Sequence, residues 1–194
     1  MSKKAGIAFI ITGAVLMISA LLLWYSNVAE DNRAAEEAGN VMEIIRPIIT
    51  DKVEEEKELS PEMPVVKIGS YGYIGYLKIE AIDLELPVID SWSYTKLETA
   101  PCRHFGSSRT DDLVIAGHDY KAHFKYLYKI PIGSEAVFTD MENIQNRYVL
   151  EKISKVKPED VEAVQNSGYD LVLYTCTPGG KTRTVGFFNR IQQD

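Results

Sequence analysis

The stretch YDLVLYTCTPGGKTRTVGFFNR, residues 169–190, has the pattern of two β-strands joined by a tight turn. Pro178, Gly179 and Gly180 separate its two apolar runs; proline presets φ and glycine tolerates positive φ. A connection this short usually makes the flanking strands antiparallel neighbours. The pattern therefore predicts that Cys176, which ends the first strand, and Arg183, which begins the second, lie side by side at one end of a hairpin.

The chain on the N-terminal side of this hairpin has the same character back to about residue 68. Short runs rich in Val, Ile, Leu, Tyr and Phe alternate with Gly, Pro, Asp and Ser, which is typical of strands and turns. These runs are YIGYLKIEAI, DLELPVID, DDLVIAGHD, EAVFTD and RYVLEKISKV. Short helical turns are predicted at residues 93–98, 121–128 and 158–164. Many short strands with few helices predict a mostly β domain, either a closed barrel or a sandwich.

The N-terminal region is of a different kind. Residues 5–29 carry no charge, and about 20 helical residues are enough to span the hydrocarbon core of a bilayer. Trp24 and Tyr25 fall where an interfacial aromatic belt is expected, and Lys3 and Lys4 precede the run. The pattern favours an uncleaved transmembrane helix with the N-terminus in the cytoplasm and the rest of the chain outside. A cleaved signal peptide is the alternative.

An acidic segment follows the apolar run. Residues 30–62 hold eleven acidic and four basic residues, a charge of -7, which equals the net charge of the whole chain. Pro47, Pro61 and Pro64 interrupt its helical pattern. We interpret residues 30–67 as a solvated extracellular stem, with a membrane-proximal regulatory helix as the alternative. The predicted organisation is therefore a cytoplasmic tip and anchor at 1–29, a stem at 30–67 and a β domain at 68–194.

The composition and the spacing of certain residues argue against several classes of ligand. No basic patch interleaved with aromatic residues indicates nucleic-acid binding. The two cysteines, Cys102 and Cys176, have no partner at a metal-ligand spacing, so no zinc site is expected. The acids Glu80, Asp83, Glu85 and Glu98 do not form a recognisable calcium loop. We therefore expect no metal and no cofactor, and a disulfide between the two cysteines remains an open alternative.

A cysteine beside a fixed cation is suited to nucleophilic chemistry. Thiolate is the reactive form of cysteine, and a positive neighbour such as Arg183 favours it. Arginine is a poor base, but it is a good donor to the oxyanion that forms when a carbonyl is attacked. Acyl transfer also needs a group that accepts and later returns a proton near neutral pH, and histidine suits that task.

Three histidines are candidates for this role. His118 ends the apolar run DDLVIAGHD, directly after Gly117, and there it could face a cysteine at the end of a neighbouring strand. His104 lies in the polar stretch CRHFGSS and is most simply a surface residue. His123 lies in a predicted helical turn and could be at the surface or packed.

Taken together, these motifs resemble those of the sortases, membrane-anchored cysteine transpeptidases of Gram-positive bacteria. The resemblance covers roughly residues 70–190. Its elements are LYTC at 173–176, which is close to the family's T-L-x-T-C with Leu173 in place of the first threonine, Arg183 at the start of the last strand, and IAGH at 115–118. LPVID at 86–90, HFGSS at 104–108 and IGSEAVFTD at 132–140 are also similar to family segments.

The resemblance implies an eight-stranded β-barrel and a two-step reaction. Cys176 attacks the Thr–Gly bond of an LPxTG-like sorting signal on a surface protein, and an amine, such as that of a peptidoglycan precursor, resolves the thioacyl-enzyme. His118 exchanges protons with the leaving and incoming amines, and Arg183 stabilises the oxyanion and the substrate. The pilus-assembling class usually adds a C-terminal anchor and an N-terminal lid, which this pattern lacks, so a housekeeping or class D-like enzyme is expected.

Three alternatives remain at this stage. Water could resolve the thioester, which would make the protein a cysteine peptidase. The chain could be a membrane-anchored binding or redox protein whose Cys102 and Cys176 form a disulfide. It could also be an inactive scaffold, which the presence of Cys176, His118 and Arg183 disfavours.

Overall fold

The structure is a computed structural model that describes residues 3–51 and 60–191. The first two residues, residues 52–59 of the predicted stem and the last three residues of the predicted β domain lie outside that range. The helices are α1 (Lys3–Thr50), α2 (Tyr94–Thr99) and α3 (Glu162–Gln165), with 3₁₀ turns at Glu80–Ile82 and Leu127–Lys129. The strands are β1 (Val66–Ile68), β2 (Tyr71–Ile79), β3 (Leu84–Ile89), β4 (Cys102–Phe105), β5 (Leu113–Gly117), β6 (Glu135–Asp140), β7 (Gln145–Val156), β8 (Leu171–Cys176) and β9 (Arg183–Arg190).

Eight of these strands close into a barrel. Their order is β2-β3-β4-β5-β8-β9-β7-β6, and β6 pairs again with β2 to complete the circle. Strand β1 adds only an outer pairing to β2. The predicted mostly β fold with short helices is confirmed, and closure into a barrel is the form it takes.

Strand directions place several strand ends at one edge of the barrel. β5 and β8 are parallel, while β9 is antiparallel to β8. β2 runs antiparallel to both β3 and β6. β7 is antiparallel to both β9 and β6, and β4 is antiparallel to β5. Consequently β2, β5, β7 and β8 end, and β3, β4, β6 and β9 begin, at the same edge, which we call the β5–β8 rim. The side chains that end β5 and β8 therefore meet there.

The barrel interior is filled by apolar side chains that alternate along the strands. On β5, Leu113 and Ile115 point into the main core, whereas Val114 and Ala116 belong to a second cluster on the outer face. All five residues of β5 are buried, which explains the continuous apolar run in the sequence. Strands β1 and β4 were not predicted, because three or four residues leave too short a pattern to recognise.

The segment after the apolar run is not a fully solvated spacer. Helix α1 continues from the apolar run to Thr50 and packs on β3, and Pro47 does not end it. Its buried side chains recur every three or four residues, which makes one face of the helix apolar. They are Ala34, Ala38, Met42, Ile45 and Ile49. Burial of this face outweighs the charge repulsion and the single backbone hydrogen bond that a proline removes.

Candidate active site

The β8–β9 hairpin brings Cys176 and Arg183 together as predicted. The two residues are direct partners in the strand register. Arg183 Nη1 donates a hydrogen bond to Cys176 Sγ, with 2.8 Å between the two atoms. Gly179 and Gly180 take φ values of 80° and 70° in the turn, a backbone conformation that side chains disfavour. The turn therefore fixes a cation beside an exposed thiol.

His118 leaves the end of the adjacent strand. β5 and β8 pair in parallel up to Gly117 and Thr175, so His118 and Cys176 are the next residues on neighbouring strands. Neighbouring strands lie about 4.8 Å apart, which puts the backbones of the two residues close together. Of the three histidines, His118 is thus the one that strand pairing places next to Cys176.

The residues after His118 hold it in place. The ring of Tyr120 stacks on the imidazole of His118, with 3.8 Å between centroids and 16° between planes. The backbone N–H of Phe124 donates to the carbonyl oxygen of His118 at 3.2 Å. Gly117 is required by this arrangement, because a Cβ there would come within 2.3 Å of the Phe124 ring. The strand end and the loop after it therefore form one packed unit.

Burial and charge act on His118 in opposite directions. Burial lowers the pKa of His118 below its ordinary value, and the carboxylates of Asp119, Glu98, Glu30 and Asp31 partly counteract that effect. A lowered pKa favours the neutral imidazole at neutral pH. Two of the four carboxylates come from helix α1, so the predicted stem contributes to the electrostatics of the candidate active site.

His104 is not a solvated loop residue. It lies on β4 and is half-buried, and its Nδ1 is 2.7 Å from the hydroxyl of Tyr174. The Tyr174 ring in turn lies under the guanidinium of Arg183, 5.6 Å from its carbon to the ring centroid. Burial, and next the charge of Arg183, lower the pKa of His104. Strand alternation places Tyr174 on the same face of β8 as Cys176, but no pattern in the sequence indicates the contact with His104.

An apolar cleft of about 140 Å³ opens beside these residues. Arg183 and Tyr174 line one side, and the loop between β7 and β8 lines the other. Most of the lining side chains are aromatic or aliphatic, among them Trp92, Tyr94, Phe105, Val161 and Val164, and Lys157 and Asp160 add one charge of each sign on the loop side. Such a cleft suits an extended peptide with an apolar side chain next to the reacting bond.

The two cysteines have different environments. Cys176 is exposed, whereas Cys102 is buried on β4 rather than in a loop, and both are free thiols. Burial raises the pKa of Cys102 to about 12. β5 separates β4 from β8, and two interstrand spacings amount to about 9.6 Å. That exceeds the roughly 7 Å between Cα atoms that a disulfide tolerates, so the disulfide alternative does not fit this fold.

Three of the four acids considered for calcium form ion pairs instead. Glu80 pairs with Lys78, Glu85 with Arg46, and Glu98 with Arg33. Among residues 3–51 and 60–191, no group of three or more His, Cys, Asp or Glu side chains is arranged to hold a metal ion.

Comparison with known proteins agrees with this geometry. A family model described as the sortase domain matches residues 77–187. Sortase C1 from Streptococcus agalactiae is 27% identical, with a TM-score of 0.55 over 66% of this chain and 72% of that one. Sortase C from Streptococcus pneumoniae is 25% identical, with a TM-score of 0.57 over 85% and 90%. No match was found among curated proteins.

A more distant solved structure shares the fold alone. Sortase A from Corynebacterium diphtheriae is 19% identical, with a TM-score of 0.57 over 91% of this chain and 97% of that one. The family model spans more than half of the 194 residues, over the barrel that carries the thiol, the guanidinium and the imidazole. The chain belongs to the sortase family of cysteine transpeptidases.

Proposed function

We propose that the protein cleaves an LPxTG-like sorting signal between Thr and Gly and transfers the acyl fragment to an amine. The observation that carries this proposal is the hydrogen bond of 2.8 Å from Arg183 to Cys176, at the strand end beside His118. The guanidinium is hydrogen-bonded to the sulfur, and the thiolate is the attacking species in this reaction. The imidazole lies at the same rim of the barrel to exchange the proton.

In the first step, the Cys176 thiolate attacks the carbonyl carbon of the threonine. The carbonyl electron pair moves to oxygen, and the Arg183 guanidinium donates hydrogen bonds to that oxyanion. As the oxyanion collapses, the C–N bond breaks, and His118 gives a proton to the leaving glycine amine. The protonated imidazole that does so is the minor form at neutral pH, because burial lowers the pKa of His118. A thioester to Cys176 and a neutral imidazole remain.

In the second step, an acceptor amine attacks the thioester. Neutral His118 takes a proton from the amine, and the thiolate of Cys176 leaves as the new amide forms. The enzyme returns to its starting protonation state, so no other reactant is required. A peptidoglycan precursor or another surface protein would supply the amine, and the surface protein with the sorting signal supplies the acyl group.

The direct test is trapping of the intermediate. The protein is incubated with an LPxTG-like peptide, and the intact mass is measured with and without an amine acceptor. We expect an adduct equal to the acyl fragment on Cys176, and an amide product when the amine is present. Hydrolysed peptide as the sole product at saturating amine would assign the protein to the cysteine peptidases instead.

We further infer that the N-terminal part of α1 anchors the protein in the cell membrane. α1 is long and apolar enough to cross a bilayer by length and composition, and its apolar part is exposed in the fold. Lys3 and Lys4 before the span favour a cytoplasmic N-terminus and an extracellular domain. Membrane fractionation with N-terminal sequencing tests this, since a secreted product that begins near residue 30 would identify a signal peptide.

A further inference from the structure

Helix α1 sets how close the active site lies to the bilayer, provided that α1 is the anchor proposed above. The uncharged run ends at residue 29, and Asp31 already contacts the barrel domain. Its Oδ1 accepts a hydrogen bond of 2.9 Å from the backbone N–H of Lys121. Two helical residues advance only about 3 Å along the axis. Lys121, three residues after His118, is therefore held at the level where the helix leaves the hydrocarbon.

The course of α1 along the barrel shows which end faces the bilayer. Just after the uncharged run, at Asp31, α1 contacts the loop after β5, at the β5–β8 rim. Toward its end, Ile49 packs in a cluster with Tyr73 and Met141, which lie near the start of β2 and just after β6, at the opposite end of the barrel. Beyond the uncharged run, α1 thus runs from the β5–β8 rim, which carries Cys176 and His118, to the opposite end of the barrel. An anchored α1 turns the rim that carries Cys176 toward the membrane.

The segment on this rim next to α1 carries a row of lysines. Lys121, Lys125 and Lys129 recur at every fourth position. With Asp119 as the one acid, residues 119–133 have a charge of +2 in a chain of net charge -7. Within the described part of the chain, none of the three ammonium groups lies within 4.0 Å of a carboxylate oxygen.

The same segment exposes apolar and aromatic side chains. Tyr128 is 57% exposed and Ile132 is 61% exposed. The Nζ of Lys129 lies 4.3 Å from the ring centroid of Tyr126 and 5.8 Å from that of Tyr128. Exposed tyrosine and lysine side chains on one surface are typical of the membrane interface, where the rings sit among headgroups and the amines reach phosphate.

We propose that residues 121–132 form a bilayer-contact surface that rests on anionic phospholipid headgroups and holds the catalytic rim at headgroup level. Charge complementarity selects this partner, because the segment is basic while the chain as a whole is acidic. The surface follows directly from the catalytic histidine, so its contact with lipid also fixes the height of the active site. Substrates whose reacting groups lie near the bilayer surface are then favoured over soluble ones.

The test compares the full-length protein in nanodiscs of anionic phosphatidylglycerol and of zwitterionic phosphatidylcholine. Amide hydrogen exchange of residues 121–132 is the readout, and the variant Cys176→Ala is used so that no catalysis is involved. We expect slower exchange in anionic discs, by about fivefold or more, and a return to the zwitterionic rate at high salt. Equal exchange in both lipids would overturn the proposal.

Charge variants test the lysines themselves. Lys121→Gln, Lys125→Gln and Lys129→Gln together should abolish the lipid-dependent difference, while the Asp31 contact persists because it uses the backbone of residue 121. The control is Lys67→Gln, because Lys67 is exposed on β1 beside the start of β2, at the opposite end of the barrel. This control should keep the difference in exchange between the two lipids. If the triple variant and the control behave alike, the proposed contact between residues 121–132 and anionic lipid is wrong. The intact mass of each variant is also measured. A cleaved transmembrane span would shorten the chain, so the mass shows whether a lost lipid dependence comes from loss of the anchor instead.

Activity adds a second readout. In anionic nanodiscs, the Lys121, Lys125 and Lys129 variant on the active Cys176 background should lose activity on a bilayer-tethered signal peptide and keep it on a soluble one. Equal activity of variant and parent on both peptides would contradict the claimed effect on active-site height. Inactivity of the parent on both peptides would instead count against the proposed reaction and leave the exchange result to decide lipid contact.

Discussion

Arg183 Nη1 donates directly to Cys176 Sγ across the β8–β9 hairpin, with 2.8 Å between the two atoms. The contact joins the last residue of one strand to the first residue of the next. The same guanidinium lies over the Tyr174 ring, which limits its freedom to swing away from the thiol. In the proposed mechanism, the arginine that contacts the thiol is therefore also the donor to the oxyanion.

This geometry makes Arg183 sensitive to conservative replacement. Arg183→Lys keeps the charge but loses the planar fork, so we expect a clear loss of kcat. Arg183→Ala should lose about a hundredfold to a thousandfold, or about 2.7–4 kcal/mol of transition-state stabilisation. The effect should fall mainly on kcat and be measured by cleavage of a fluorogenic LPxTG-like peptide.

The control for Arg183 must be a cation with no structural task. Strand alternation places Arg190 on the opposite face and at the far end of β9, which suggests it as a neutral control. In the structure, however, Arg190 donates to Asp111 and Asn146, each at 2.6 Å, so its removal leaves polar partners unpaired. Lys155, exposed on β7 opposite Thr184, is the better choice. Wild-type activity in Arg183→Ala would rule out the assigned role.

The two cysteines should differ in reactivity and in function. Cys176→Ala should abolish acyl transfer, whereas Cys102→Ala should keep it and lose only about 1 kcal/mol of stability, because it removes one buried sulfur. In the folded protein, iodoacetamide should modify Cys176, and Cys102 should react only after denaturation. Comparable loss of activity in both variants, with folding intact, would remove the nucleophile assignment from Cys176.

The packed face of α1 should contribute to the stability of the domain. Ile45→Ala should lower the free energy of unfolding by about 2–5 kcal/mol, since its side chain is fully buried. Ile44→Ala is the matched control, because Ile44 is 46% exposed and the neighbouring helical position. Denaturant unfolding in detergent measures both. Equal stability of the two variants would show that α1 does not pack on the barrel in solution.

That packing also changes what a truncation should do. If residues 30–67 were only a solvated stem, removal of everything before residue 63 would leave activity unchanged. Since Asp31 holds the loop after His118 and Ile45 covers the barrel, we expect the truncated domain to be less stable and less active than one that begins near residue 30. Thermal unfolding and peptide cleavage of the two proteins decide between these outcomes.

A buried histidine should make stability fall in mild acid. Burial, and next the charge of His118, lower the pKa of His123 to about 4, whereas the unfolded chain titrates near 6.5. As pH falls from about 6.5 to 4, His123 binds a proton in the unfolded state but stays neutral in the folded state. The free energy of unfolding therefore decreases over this range. The loss should reach about 2 kcal/mol by pH 5. His123→Leu should reduce this dependence, as measured by unfolding at pH 7.5 and pH 5.

Most of the barrel strands could be predicted from local sequence patterns, namely apolar runs and the turn residues between them. The turn residues Pro178, Gly179 and Gly180 between two apolar runs fixed the β8–β9 hairpin, and with it the pairing of Cys176 and Arg183. The apolar run that ends in Gly117 and His118 marked a fully buried strand. These inferences succeed because strand alternation and turn chemistry depend on neighbours in the sequence.

Contacts between distant segments could not be predicted in this way. Nothing in the sequence near His104 indicates that its imidazole is hydrogen-bonded to the hydroxyl of Tyr174, seventy residues away. The charges of residues 30–50 suggested solvation, yet a stripe of apolar side chains turns one face of the helix onto the barrel. The direction of α1 relative to the catalytic rim likewise follows only from how the two pack.

The sequence by itself determined seven of the nine strands, the turn and the apolar span, because each of these depends on residues that are close together in the chain. The tertiary structure decided which strands are neighbours, and hence that His118 rather than His104 or His123 ends beside Cys176. It also decided that α1 belongs to the domain and brings carboxylates toward His118. The physical reason is that burial and electrostatics depend on distance in space, which the barrel sets by closing on itself.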